Sequence, residues 1–546
     1  MPQETRSWLD GFVAGINHHL SQVSELPHEF AVLGIGREPW TAADVLTLGR
    51  LAGADVTWLV WFRLLEQGGG GDRRKLRDRL SGIGRFRRDR AVNADRQSRA
   101  VLCHLLGSAS RAGSNAFAVG PARTAGGAPL LAGDPHLSLM LPNLWMIAGY
   151  KSPSHHAVGL MVPGLPFVAL GRNPWIAWGG ASLHAASSGL CDMSHVPRDE
   201  VRERHETIRV RWGAARRIML RETSFGPIVS DVPLLRQPKG TSIALRWVGH
   251  CPSDEITAML RVSQARDWRQ FCAALDGFAV PGLKMLYADR DGHVGETHAA
   301  HLPLRRTDAV IESFQSTGSG AEWANMVVGS ALPRNFDPPL GYVAAANECR
   351  KGSDILIGFY FPPDDRFRRM SALIEEEPRM TVDSVMRIQQ DVQHQPAVEL
   401  RDHFCRLLDA HAIVRQNPKV ERLLATLLAW DGRYEADSSG ALAFELTVCA
   451  LTKRVLDAQE LALYAAQWDE RIRIARRLMS LPGADLAPAL AHALDDVAGR
   501  FNRFGTWGDV HRLRLRHFLG VMPLIGPRYT AGDVSSGGSN ETLMKT

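Results

Sequence analysis

The residues best equipped for chemistry sit in one run, AGSNAFAVGPARTAGGAPLLAGDPHLSLMLPNLW, which begins at Ala112 and carries Ser114 and an Asp134-Pro135-His136 block. A serine hydroxyl is a weak nucleophile until a neighbouring base takes its proton. The common serine, phosphate and metal motifs do not supply that setting. There is no G-x-S-x-G elbow, no G-x-x-x-x-G-K-[ST] loop and no H-E-x-x-H, since His205-Glu206 runs on as Thr207-Ile208-Arg209. Gly34-Ile35-Gly36 lacks the third glycine and the β-α-β setting of a dinucleotide loop. The seven cysteines are odd in number, scattered and without a C-x-x-C pair, so neither a disulfide framework nor a zinc ribbon is expected.

The elements that must position Ser114 divide by texture. Over 1–67 the pattern is helical: Thr41 and Asp44 look like a helix start, followed by Val45, Leu48, Leu51 and Ala52, then Trp58, Trp61, Phe62 and Leu65. Residues 68–113 read as a Gly-rich basic linker. Between Asp72 and Arg99 eleven basic residues face four acidic ones, so this stretch holds the whole surplus of a chain whose net charge is +6. With Phe86 as its one aromatic and no finger, homeodomain or RNA-binding motif, it argues for a solvated spacer rather than a nucleic-acid arm. No run reaches the length of a membrane span.

Short strand-like runs dominate 114–364: Asn115–Val119, His156–Val162, Ile208–Arg211, Ile218–Arg221, Ala244–Trp247 and Gly341–Ala345. Over 365–504 the helical period returns, with a helix headed by Thr381 and Ser384 and an apolar face of Leu423, Leu424, Leu427 and Leu428. Residues 505–546 turn back to Gly-rich loops. Helices, then strands, then helices, without β-α alternation, predict an α+β fold rather than a doubly wound sheet.

Read as a whole, the chain resembles the penicillin acylases, N-terminal-nucleophile (Ntn) hydrolases grouped with cephalosporin acylases and acyl-homoserine-lactone acylases. The matching residues are Gly113-Ser114-Asn115-Ala116, Arg123-Thr124 and Asp134-Pro135-His136-Leu137, then Pro163-Gly164-Leu165-Pro166, Gly171-Arg172-Asn173 and Ile176-Ala177-Trp178-Gly179. Gly226-Pro227, Tyr287-Ala288-Asp289, Asp291-Gly292, Pro303-Leu304-Arg305, Ala346-Asn347 and Trp430-Asp431-Gly432 follow, with Gly15-Ile16-Asn17 and Leu26-Pro27-His28-Glu29-Phe30 upstream. The resemblance implies an αββα four-layer sandwich with a helical insertion, and a precursor that cuts itself between Gly113 and Ser114 into a small and a large subunit. Ser114 would then carry both the nucleophilic hydroxyl and a free α-amine, whose ordinary pKa of about 7.7–8 suits a general base. It also implies that His136 tunes Ser114, that the Ser182 N–H helps form the oxyanion hole, and that Arg305 lines the site. Met140, Leu141, Trp145 and Met146 are the candidate substrate contacts.

Several positions depart from the family pattern. Lys284 stands where the resemblance calls for an asparagine as second oxyanion donor, so the expectation is that its ammonium takes that part. The calcium pair has become Gly189 and Asp192, which leaves Asp192 as the sole metal candidate and weakens the case for Ca²⁺; no cofactor is required. The expected activity is hydrolysis of the linear amide of a small N-acyl compound, such as a β-lactam side chain or an acyl-homoserine lactone. The rival is a truncated, non-catalytic paralogue that binds acyl ligands or does nothing, with nucleic-acid binding a distant third. The opening MPQETRSWLDGF has neither the basic nor the apolar region of a secretory signal, whereas relatives are commonly periplasmic, so the compartment stays open.

Overall fold

Small and large side chains alternate along β1 (Gly113–Val119), and that alternation sets two layers at once. Ala116 and Ala118 face inward with Ala181, Leu286, Ala288, Val343 and Ala345, forming a thin core between two stacked sheets. Phe117 and Val119 face outward onto α-helices with Ala132, Tyr342, Met370 and Ile374. The computed structural model describes residues 1–54, 113–231, 242–305, 323–349 and 352–545, with short interruptions at 138, 359–360, 412–416, 466–469 and 523. The linker expected over 68–113 and the helical run through Trp58 and Leu65 lie outside the described residues, apart from Gly113.

The strands of the two sheets, in chain order, are β1, β2 (Leu130–His136), β3 (Met146–Lys151), β4 (His156–Met161), β5 (Leu170–Arg172), β6 (Ile176–Ser182), β7 (Leu283–Asp289), β8 (Val294–Ala299), β9 (Asn335–Phe336) and β10 (Tyr342–Ala345). One sheet is three-stranded with order β10-β1-β2, and the other seven-stranded with order β9-β8-β7-β6-β5-β4-β3. Every pairing within them is antiparallel.

Helices cover the outer faces. The N-terminal helices are α1 (Gln3–Gln22), α2 (His28–Leu33) and α3 (Ala42–Ala52); α4 (Glu255–Gln264) and α5 (Trp268–Leu275) follow β6 in the chain. Ile256, Met259 and Phe271 of the last two pack on Trp178, Met285 and Tyr287 of the large sheet, in a core that also takes Leu9 and Val45 from the N-terminal helices. Fully burying one such side chain stabilises the fold by about 1.5–3 kcal/mol. Beyond the small sheet lie α6 (Asp365–Glu376) and α7 (Val382–Gln389). The layers therefore run helix, sheet, sheet, helix, an αββα sandwich.

Helices within Gln395–Ala498 enclose a further core around Leu400, Leu427, Phe444 and Leu490. The chain then returns through the paired strands Arg512–His517 and Thr530–Ser535, and Asn115 Nδ2 donates to Leu543 O at 2.8 Å. No helix among the described residues is long and apolar enough to cross a membrane.

Local signals account for several element boundaries. Thr41 and Asp44 form a reciprocal capping box, as do Thr381 and Ser384. Two of the expected patterns need correction. Leu51 and Leu428 are exposed, because each lies off the face that its helix buries. The strand expected at Ile208–Arg211 ends at Ile208, where the ladder to Arg216 stops. Beyond it Gly213 N bonds Val210 O, Trp212 takes φ 56°, and the Arg211 guanidinium stacks on the Trp212 ring. With Ile208, Val210 and Trp212 all exposed, the alternation there has no core to face.

Candidate active site

Ser114 lies at the start of β1, opposite Pro135 of β2 and only 8% exposed. Its hydroxyl donates to the carbonyl oxygen of Gly113 at 2.7 Å, so it rests against the Gly113–Ser114 peptide group. Its N–H donates to Asn347 Oδ1 at 2.7 Å, and its carbonyl accepts from Arg366 Nη1 at 3.0 Å.

Asn347 lies two residues past the end of β10 and takes φ 66°, a left-handed conformation that asparagine tolerates better than most residues. Its Nδ2 donates to Ser182 O at 3.0 Å, so one side-chain amide bridges Ser114 on the small sheet and Ser182 on the large one. Arg366, near the start of α6 and 6% exposed, holds this arrangement from behind. Its guanidinium donates to Asn347 Oδ1 at 3.1 Å, Ala346 O at 2.8 Å and Asn115 Oδ1 at 2.6 Å, besides Ser114 O. A rigid planar fork of donors can serve four acceptors at once where a lysine could not.

Ser182 ends β6. Leu183 N donates to Gly282 O at 2.9 Å, which makes that the hydrogen-bonded pair of the antiparallel ladder. Alternation then turns the Ser182 N–H away from β7, leaving it available to a ligand. At Gly180 a Cβ would come within 2.4 Å of Lys284 O, so only glycine fits so close to the neighbouring strand.

These groups meet on a cavity of about 480 Å³ whose wall includes Ser114, Gly180, Ser182 and Asn347. The rest of its lining is mostly apolar, with Val45 of α3, Leu165, Phe167, Met259, Phe278 and Met285 among it. A greasy chamber with a few polar groups converging at one point is the usual form of a small-molecule site.

The other expected site residues scatter. His136 pairs with Gly113 in the ladder and shares that residue's face, opposite to the one that Ser114 presents. Its Nε2 bonds Asp134 Oδ2 at 3.0 Å, and burial, only partly offset by Asp134, lowers its pKa. It makes no hydrogen bond to Ser114. Lys284 lies away from the cavity lining, and its ammonium, expected to face an oxyanion, is instead held by Glu348, Glu296 and the Ala344 carbonyl. Arg305 is buried with its guanidinium over the Trp323 ring, 5.4 Å from the centroid, and it too is off the cavity wall. The arginine that reaches Ser114 is Arg366. Of the four expected substrate contacts, Trp145 lines the cavity; Met140 and Met146 are exposed, and Leu141 pairs with His517. Asp192 accepts from Ser194 N at 3.0 Å, and among the described residues no three His, Cys, Asp or Glu side chains are grouped to hold a metal.

The model of the family described as penicillin amidase matches residues 1–546. The penicillin acylase 2 proenzyme of Pseudomonas sp. (strain SE83) is 29% identical over 494 residues, which cover 83% of this chain and 61% of that protein. The acyl-homoserine lactone acylase QuiP of Pseudomonas aeruginosa is 25% identical over 363 residues, covering 60% of this chain and 42% of its own length. The chain thus spans about three fifths or less of these curated relatives. Among solved structures, a thermostable penicillin G acylase from Alcaligenes faecalis superposes with a TM-score of 0.58 at 18% identity, covering 77% of this chain and 81% of that one. At that identity the likeness concerns the fold.

Proposed function

This chain belongs to the penicillin amidase family, and on that premise we propose that it is a self-processing amidohydrolase acting through Ser114. The observation that carries the reading is the convergence of the Ser114 hydroxyl and N–H, the Asn347 amide and the Ser182 N–H on one apolar cavity.

In the first reaction Ser114 Oγ attacks the Gly113 carbonyl carbon, and the acyl group moves from nitrogen to oxygen. Water then hydrolyses the resulting ester, giving a Gly113 carboxylate and a free α-amine on Ser114. In the second, that amine takes the hydroxyl proton while Oγ attacks the amide carbon of an N-acyl substrate. The developing oxyanion is met by the Ser182 N–H and by the second N–H of Asn347 Nδ2, whose first is already given to Ser182 O. The amine nitrogen, still facing Asn347 Oδ1, passes the proton to the leaving amine. Water enters by the same route and releases the acid.

The cavity favours an apolar acyl group, which suits both substrate classes named in the relatives, penicillins and acyl-homoserine lactones. Lys284 in place of an asparagine, and Gly189 in place of a carboxylate, favour the non-catalytic, ligand-binding paralogue; an oxyanion donor supplied by Asn347 instead would answer the first of these. The test is mass spectrometry of the protein mixed briefly with phenylacetyl- and medium-chain N-acyl amides. An acyl adduct on the peptide that begins at Ser114, with free amine accumulating, supports the proposal. Bound but unchanged amide with no adduct would return the non-catalytic reading to first place.

A further inference from the structure

Lys284, Glu296 and Glu348 form a buried ion triad that the proposed chemistry leaves unused. Lys284 Nζ lies 2.6 Å from Glu348 Oε1 and 3.0 Å from Glu296 Oε2, and the three side chains are 9–10% exposed. Burial opposes the charged lysine, but the two carboxylates outweigh it and raise its pKa above the ordinary lysine value. So many charges taken out of water are costly unless every one is matched.

The triad grips one short segment. Lys284 Nζ donates to Ala344 O at 3.1 Å, and Glu348 Oε2 accepts the Ala346 N–H at 2.6 Å. These two contacts flank the point where the chain leaves β10 and enters the left-handed conformation of Asn347. Lys284 also sits on β7, one residue beyond Leu283, which pairs with Ser182. A single strand thereby carries the ladder that holds one proposed oxyanion donor and the ammonium that holds the turn bearing the other.

We propose that Lys284, Glu296 and Glu348 are positioning residues: they lock the turn from Ala344 to Glu348 and so hold the Asn347 amide at Ser114 and Ser182. The inference rests on the amidohydrolase reading and deepens it. Glu348 is the linchpin because both its neighbours are donors, the Lys284 ammonium and the Ala346 N–H. A glutamine has the same shape but only one acceptor oxygen, so its NH₂ must face a donor.

The experiment compares wild type with Glu348→Gln and Lys284→Met, by amide hydrogen exchange over residues 343–349 and by steady-state kinetics. Glu348→Gln should exchange about tenfold faster in that segment, with the rest of the chain unchanged. Its kcat should fall by about 10- to 100-fold, the scale of a slightly misplaced catalytic group, with KM nearly constant. Unchanged exchange or unchanged kcat in Glu348→Gln would overturn the proposal. So would faster exchange throughout both sheets, the mark of general loosening. If Lys284→Met does not fold, the near-isosteric Glu348→Gln still decides. A wild type without amidase activity would defeat the functional reading, while exchange would continue to judge the clamp.

Discussion

Asn347 Oδ1 accepts the Ser114 N–H at 2.7 Å while its Nδ2 donates to Ser182 O, so one amide spans the two sheets at the proposed nucleophile. The same contact serves both stages of the proposed reaction. Before cleavage it would orient the scissile peptide, and afterwards the freed amine beside the hydroxyl.

Asn347→Ala removes that orientation and one proposed oxyanion donor together. Losing a single such donor costs about 10²–10³ in rate. The processed variant should show a kcat reduced on that scale with KM changed only slightly, measured on any amide that the wild type turns over. A large rise in KM with kcat intact would place Asn347 in ground-state binding instead.

Arg366→Met strips donors from Ser114 O, Asn115 Oδ1, Ala346 O and Asn347 Oδ1 together. Each buried acceptor left unmet costs about 1–3 kcal/mol. A urea titration should therefore show a clearly lower midpoint, and self-cleavage should slow because the backbone at Ser114 is no longer held. Arg366→Lys should rescue neither, since an ammonium cannot cover acceptors spread around a planar fork.

Burial pushes the His394 imidazole down to about 3, so it stays neutral in the folded chain while the unfolded chain protonates it near 6.5. The unfolded state thus binds the extra proton between those values, and stability must fall as pH drops from about 6.5 towards 3. The slope is about 1.4 kcal/mol per pH unit for this one residue. His394→Phe should flatten the dependence in that window; denaturant midpoints at pH 7, 6 and 5 would expose an unchanged slope.

The cavity sets an acyl-length rule. Each methylene taken from water into the apolar lining gains about 0.8 kcal/mol, roughly fourfold in kcat/KM, until the chamber is full. Met259 lies on its wall. Met259→Trp should move the break in a homologous acyl series to shorter chains and leave the shortest substrate little affected. A series with no break, or one that Met259→Trp does not move, would show that the acyl group binds elsewhere.

Much of the scaffold is legible without coordinates because it follows local rules. The capping boxes at Thr41 and Thr381, and the strand-like runs Asn115–Val119 and Gly341–Ala345, need only near neighbours to be read. The site is different, since its parts are joined only by folding. Lys284 precedes Tyr287-Ala288-Asp289 as expected, yet nothing local shows that its face of β7 looks between the sheets. Arg366 sits among Asp364, Asp365, Arg368 and Arg369, and reads as one more surface charge until α6 aims it at Asn347. His136 is close to Ser114 through the β1–β2 ladder, but a one-residue offset in register puts it on the opposite face. Asn347 did carry a signal, being part of the matched Ala346-Asn347 pair; what the match alone could not convey was its contact with Ser114.

The most direct test of the central claim is the intact mass of the purified protein, with N-terminal sequencing of each chain, alongside Ser114→Ala. The account predicts two chains from the wild type, the larger beginning Ser-Asn-Ala-Phe at Ser114, and one uncut chain from the variant. A wild type that remains a single chain, or a cut that persists in Ser114→Ala, would contradict it.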